Sequence, residues 1–113
     1  MTTKTIEQAA PVVLSLDDTA ATLEGVGGKG ASLARMAAAG LPVPPGFHIT
    51  TAAYRRFVDA NGLQKGILAA VTAAEAEVAG SLELASARVQ TLFAGANMPD
   101  DLADAIRQAY LAL

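Results

Sequence analysis

Gly25-Val26-Gly27-Gly28-Lys29-Gly30-Ala31-Ser32-Leu33-Ala34-Arg35-Met36 places a lysine among glycines at the point where helical spacing begins. A cation at a helix start opposes the helix macrodipole, whose positive end lies there. Consecutive glycines lose much backbone entropy on folding and suit places where the chain must bend or let a ligand approach. An anion over the helix N-terminus, most simply phosphate, reconciles both features. A plain glycine turn with a solvated lysine is the competing reading.

Working outward, Pro11-Val12-Val13-Leu14-Ser15-Leu16 reads as a short strand closed by Asp17-Asp18. Thr19–Val26 carries the chain to the glycines. From Lys29 to Ala39 the spacing predicts a helix with Leu33, Met36 and Ala37 on one face, and Gly40 as its C′ terminator. Leu41-Pro42-Val43-Pro44-Pro45-Gly46 must be extended, because each proline lacks an amide donor and turns its predecessor away from helix. Phe47-His48-Ile49-Thr50 is a second strand candidate. Thr50 or Thr51 caps a helix over Ala52–Ala60 that turns Tyr54, Phe57 and Val58 inward and stops near Asn61-Gly62.

The second half reads as helical. Leu63–Ala79 is amphipathic through Ile67, Leu68, Val71 and Val78. Ser81 is a candidate cap for a helix from Leu82 to about Ala94, and Gly95-Ala96-Asn97 is a turn. Pro99 suits the first helical position, with Asp100 and Asp101 favourable in the first turn. The last helix keeps its phase through Leu102, Ile106, Tyr110 and Leu113 up to the final residue, which predicts a truncated unit. Residues 1–10 are polar and expected to be loose.

Composition bounds the function. The 113 residues are 52% hydrophobic and 17% charged, and mean hydropathy is +0.36. That apolar surplus in a short chain predicts a surface covered by something else, with self-association one outcome. A net charge of −3, without a basic run, argues against a nucleic-acid partner. Cysteine is absent, so disulfides, thiolate nucleophiles and Cys-ligated zinc are excluded. The apolar stretch Ile67–Ala74 is far shorter than the roughly 20 residues of a membrane span. The first eight residues lack a signal-peptide layout. The expectation is a cytoplasmic chain with no membrane partner.

The glycine-lysine run fails the two commonest phosphate motifs. A Walker loop needs glycine where Leu23 stands and a hydroxyl where Gly30 stands. Gly25-Val26-Gly27 begins the dinucleotide fingerprint and Gly30 falls at its last glycine, but no acidic residue follows a strand at the required distance. Paired acids Asp17-Asp18 and Asp100-Asp101 have no metal-site spacing with other ligands. Arg55-Arg56 reads as a solvated face, and Arg88 and Arg107 have no assignable role. His48, the single histidine, reads as structural or partly exposed.

Three blocks in order carry a family resemblance: Gly27-Gly28-Lys29-Gly30-Ala31-Ser32-Leu33, then Gly40-Leu41-Pro42-Val43-Pro44-Pro45-Gly46-Phe47, then Thr50-Thr51-Ala52-Ala53-Tyr54. Together they resemble the start of the pyruvate phosphate dikinase and phosphoenolpyruvate synthase family, strongly over Val12–Gly62 and more loosely to Leu113. The resemblance implies an α/β fold, mostly helical with two or three short strands, in which residues 11–113 form the N-terminal portion of an ATP-grasp domain. It implies ATP as ligand, with Lys29 on its phosphates and Gly27, Gly28 and Gly30 shaping the turn. It assigns no catalytic residue and no metal ligand to this chain. Magnesium ligands, further nucleotide contacts, the phosphohistidine and the site for pyruvate or another acceptor are expected beyond Leu113. The chain alone is then expected to be inactive. The rifampin phosphotransferases share a similar N-terminal domain, and a non-catalytic remnant or interaction module is the rival of a different class.

Overall fold

The computed structural model describes residues 10–113, so the segment read as loose lies, apart from Ala10, outside the described residues. Its elements are β1 (Val13–Ser15), α1 (Leu23–Ala38), β2 (Phe47–Ile49), α2 (Thr51–Ala60), α3 (Gln64–Thr72), α4 (Ser81–Ala94) and α5 (Asp100–Leu111). Two compact units result. One takes in the chain up to Arg55 together with Asp100–Leu113, and the other is Arg56–Pro99. The boundary falls inside α2.

In the first unit β1 and β2 pair antiparallel, with Leu14 opposite His48 and Val13 opposite Ile49. Backbone bonds Leu16 N–H to Gly46 O (3.2 Å) and Thr50 N–H to Val12 O (3.0 Å) continue the pairing at both ends. The helix α1 packs on β2, and α5 packs on both strands. Because side chains alternate along a strand, one face of β2 turns inward. That inward residue is His48, 7% exposed, while Ile49 is 54% exposed.

The first helix starts earlier than the glycine-lysine run predicts. Thr22 is its N-cap, and the Thr22 hydroxyl accepts from Gly25 N–H at 3.2 Å. This side-chain cap gives a second acceptor to a first-turn donor that also reaches Thr22 O at 3.0 Å, and starts the helix at Leu23. The other end is as predicted. Gly40, at φ +82°, sends its N–H to Ala37 O while Leu41 N–H reaches Met36 O, a complete Schellman closure. The buried stripe differs from expectation: Ala31 and Ala34 are buried, and Met36 is 41% exposed. Small residues line that stripe because α1 lies too close to β2 for larger ones, as the neighbourhood of Gly30 shows below.

Thr50 caps α2 as predicted. Its hydroxyl accepts from Ala53 N–H at 3.3 Å and donates to Pro11 O at 2.7 Å. Gly62, at φ +61°, ends α2 by the same closure, with Leu63 N–H on Val58 O. Val58 is buried, but Tyr54, expected inward, is 53% exposed.

In the second unit α3 packs on α4. Gly66 permits the approach, since a Cβ there would lie 3.0 Å from Leu92 Cδ1. Phe57 and Phe93 stack with centroids 5.6 Å apart and planes 7° from parallel. Asn61 bridges to Asn97 twice, donating to its carbonyl and accepting from its N–H, both at 2.9 Å. The helix expected over Leu63–Ala79 is cut short at Thr72, and turns fill the space up to Gly80 at φ +83°. Ser81 is not the cap. It is the first helical residue, and its hydroxyl accepts from Glu75 N–H at 2.6 Å, stabilising the turns that replaced the missing helix.

Leu102 on α5 is 2% exposed, and burial falls away toward the last residues, with Tyr110 68% and Leu113, beyond the helix, 61% exposed. Four of the nine residues buried among those described are alanines, and large apolar groups such as Leu68, Val71, Leu82 and Leu84 remain exposed. The apolar surplus therefore does reach the surface. Among the described residues no helix is long and apolar enough to cross a membrane.

Candidate functional site

The glycine-lysine run forms a break inside α1. Gly27 adopts φ 80°, ψ 174°, a region essentially confined to glycine, so Leu23–Val26 and the helix from Gly28 onward are separate segments. Lys29 is therefore in the first turn of a new helical segment, as the sequence predicts. Counting back four residues from Gly28, Lys29 and Gly30 reaches Glu24, Gly25 and Val26, all on the far side of the break. Lys29 is exposed, and no described residue forms an ion pair with it.

The three glycines do different work. At Gly27 a Cβ would meet nothing within 4 Å, so the requirement is conformational. At Gly30 the requirement is spatial: a Cβ would lie 2.9 Å from Val26 Cγ2 and 3.0 Å from His48 Nδ1. At Gly28 neither applies, the nearest atom being Leu23 Cδ1 at 3.9 Å. Gly27→Ala is expected to destabilise by about 1–3 kcal/mol through backbone strain. Gly28→Ala is expected to be neutral or to stabilise by up to about 1 kcal/mol through helix propensity. Paired urea melts test this, and equal effects at the two positions would refute the distinction.

The surrounding residues brace this turn. Thr51 Oγ1 donates to Glu24 O at 2.8 Å, joining the start of α2 to the short segment before the break. His48 was read as structural or partly exposed, and it is buried. Its Nε2 lies 3.4 Å from Leu16 O, and its Nδ1 faces Gly30. The placement of His48 under Gly30 had no local signal in the sequence, since it arises from strand pairing and helix packing between distant residues.

Other candidates make local contacts or sit at helix starts. Asp18 Oδ1 accepts from Ala20 N–H at 2.8 Å, and Asp100 and Asp101 occupy the first turn of α5. Arg107 pairs with Asp104 at 2.8 Å, both well exposed. Among the described residues no three His, Asp or Glu side chains gather as a metal site.

A break that starts a helix with glycine, lysine and glycine puts backbone N–H groups and one cation at a helix N-terminus, where physics favours an anion. Comparison with known proteins agrees in class. The chain belongs to the family described as pyruvate phosphate dikinase, AMP/ATP-binding domain, which it matches over residues 23–113, from the first residue of α1 onward. Among individual proteins, it is 44% identical over 84 residues to a probable phosphoenolpyruvate synthase of Methanocaldococcus jannaschii, covering 74% of this chain and 7% of that protein. It is 40% identical over 106 residues to the phosphoenolpyruvate synthase of Pseudomonas aeruginosa, covering 89% and 13% respectively. The Aeropyrum pernix phosphoenolpyruvate synthase is 43% identical over 91 residues, 78% of this chain and 11% of that protein. The chain thus spans only a small fraction of these relatives. No solved structure matches it significantly.

Proposed function

We propose that this chain is the phosphate-gripping part of an ATP-grasp nucleotide-binding domain from a phosphoenolpyruvate synthase-like phosphotransferase. The observation that carries the reading is the Gly27 break, which puts Lys29 in the opening turn of a helix without an acidic partner among the described residues. Lys29 supplies a compact positive charge for phosphate oxygens, Gly27 turns the chain, and Gly28 and Gly30 keep the backbone low beneath the ligand. Phosphoryl transfer depends on charge positioned in this way. The relatives' names favour pyruvate as the acceptor over a drug. In the complete enzyme, ATP would phosphorylate a histidine elsewhere, which would pass the group to pyruvate.

The magnesium that such chemistry calls for has no matching donor set among the described residues, and none is assigned to this chain. One lysine and one turn cannot also orient an acceptor and exclude water. The chain by itself is therefore expected to bind ATP without turning it over. Calorimetric titration of ATP into the wild type and Lys29→Ala tests the reading. Binding that weakens in the variant supports it. Binding that is absent, or indifferent to Lys29, favours a non-catalytic module instead.

A further inference from the structure

We propose that His48 is a positioning residue for the phosphate turn, holding Gly30, and through it Lys29, at the height where phosphate is gripped. The proposal rests on the functional reading above and adds a residue that reading does not contain.

The imidazole is 7% exposed and stands on β2, in register with Leu14 on β1. A carbonyl oxygen can only accept, so the contact at 3.4 Å between Nε2 and Leu16 O places the ring proton on Nε2. In the neutral ring Nδ1 then carries the lone pair and faces Gly30, where a Cβ would lie only 3.0 Å away. No hydrogen-bond partner of Nδ1 exists among the described residues. The ring thus occupies the space a side chain at position 30 would need. It is anchored at its far edge to the strand-end carbonyl of Leu16. Immediately before Gly28 the helix is broken at Gly27, so the opening turn lacks the continuous ladder that would otherwise hold it. A rigid ring pressed on its third residue replaces that restraint. An aliphatic residue at position 48 would fill the strand's inward position equally well but would have no tie to Leu16 O.

The test compares ATP, inorganic tripolyphosphate and adenosine as ligands of the full chain carrying His48→Ala or His48→Gln. His48→Ala should weaken ATP and tripolyphosphate about three- to tenfold, the scale of one hydrogen bond, and leave adenosine unchanged. His48→Gln, whose amide can donate to Leu16 O, should recover part of the loss. Should His48→Ala fail to fold, His48→Gln and His48→Asn carry the same comparison at intact melting temperature. Equal weakening of all three ligands, tracking loss of stability, would overturn the positioning role. Unchanged ATP affinity in His48→Ala, with Lys29→Ala still impaired, would overturn it while leaving the proposed function standing. Absence of binding by the wild type, or no effect of Lys29→Ala, would overturn both.

Discussion

Leu102→Ala is expected to lower the unfolding free energy by about 2–5 kcal/mol, the range for truncating a buried leucine. Leu102 is 2% exposed on α5, a helix that packs on both strands, and four of the other eight residues buried among those described are alanines. Where most buried side chains are small, a single large one contributes a correspondingly greater share of the apolar area removed from water. A natural domain holds only about 5–15 kcal/mol in total. The loss should appear in urea melts as a lower midpoint with unchanged slope. Tyr110→Ala, on the same helix but at a position 68% exposed, is the control and should stay within about 0.5 kcal/mol. Comparable losses at the two sites would show that α5 is not anchored through Leu102.

Lys29→Ala is expected to move two measurements in opposite directions. A hydrogen bond to a charged group contributes about 1.5–3 kcal/mol, so ATP affinity should fall roughly 10- to 100-fold. Without ATP, the same change should raise stability slightly, by about 0.3–1 kcal/mol, because it removes a cation from the positive end of a helix dipole. Lys29→Arg keeps the charge but replaces a compact ammonium with a planar fork, and should retain only part of the affinity. The contribution of Lys29 should shrink with added salt, since the ammonium is exposed and screened. An affinity that survives Lys29→Ala would remove the lysine from the site. A stability that falls with it would show the side chain to be structural.

The predicted elements held best where their signals were local. Gly40 and Gly62 stop their helices at positive φ, Thr50 caps α2, and the break at Gly27 starts a helix around Lys29. Each of these depends on residues within a few positions, where backbone sterics and near-neighbour hydrogen bonds decide. The family was legible for a related reason: three short blocks in fixed order carry the resemblance, and the match over residues 23–113 bears it out. The early start of α1 has a local cap in Thr22, but glycines at 25, 27 and 28 weaken the helical signal that follows it. The long third helix was over-read. Apolar spacing continues through Val78, but alanine-rich residues 73–79 make turns instead, and Ser81 supports them.

The sequence alone determined where α1 and α2 stop, that Thr50 caps α2, and that a lysine occupies the opening turn of a helical segment. Which faces are buried was decided only by tertiary structure. Ala31 and Ala34, not Leu33 and Met36, form the inward stripe of α1, and the strand residue that meets this helix is a histidine. Glycine at position 27 answers a backbone angle, but glycine at position 30 answers both Val26, four residues before it, and an imidazole brought there by strand pairing. The first requirement is written in local sterics. The part of the second set by His48 exists only once residues far apart in sequence have packed, because close approach is a property of the pair and not of either residue.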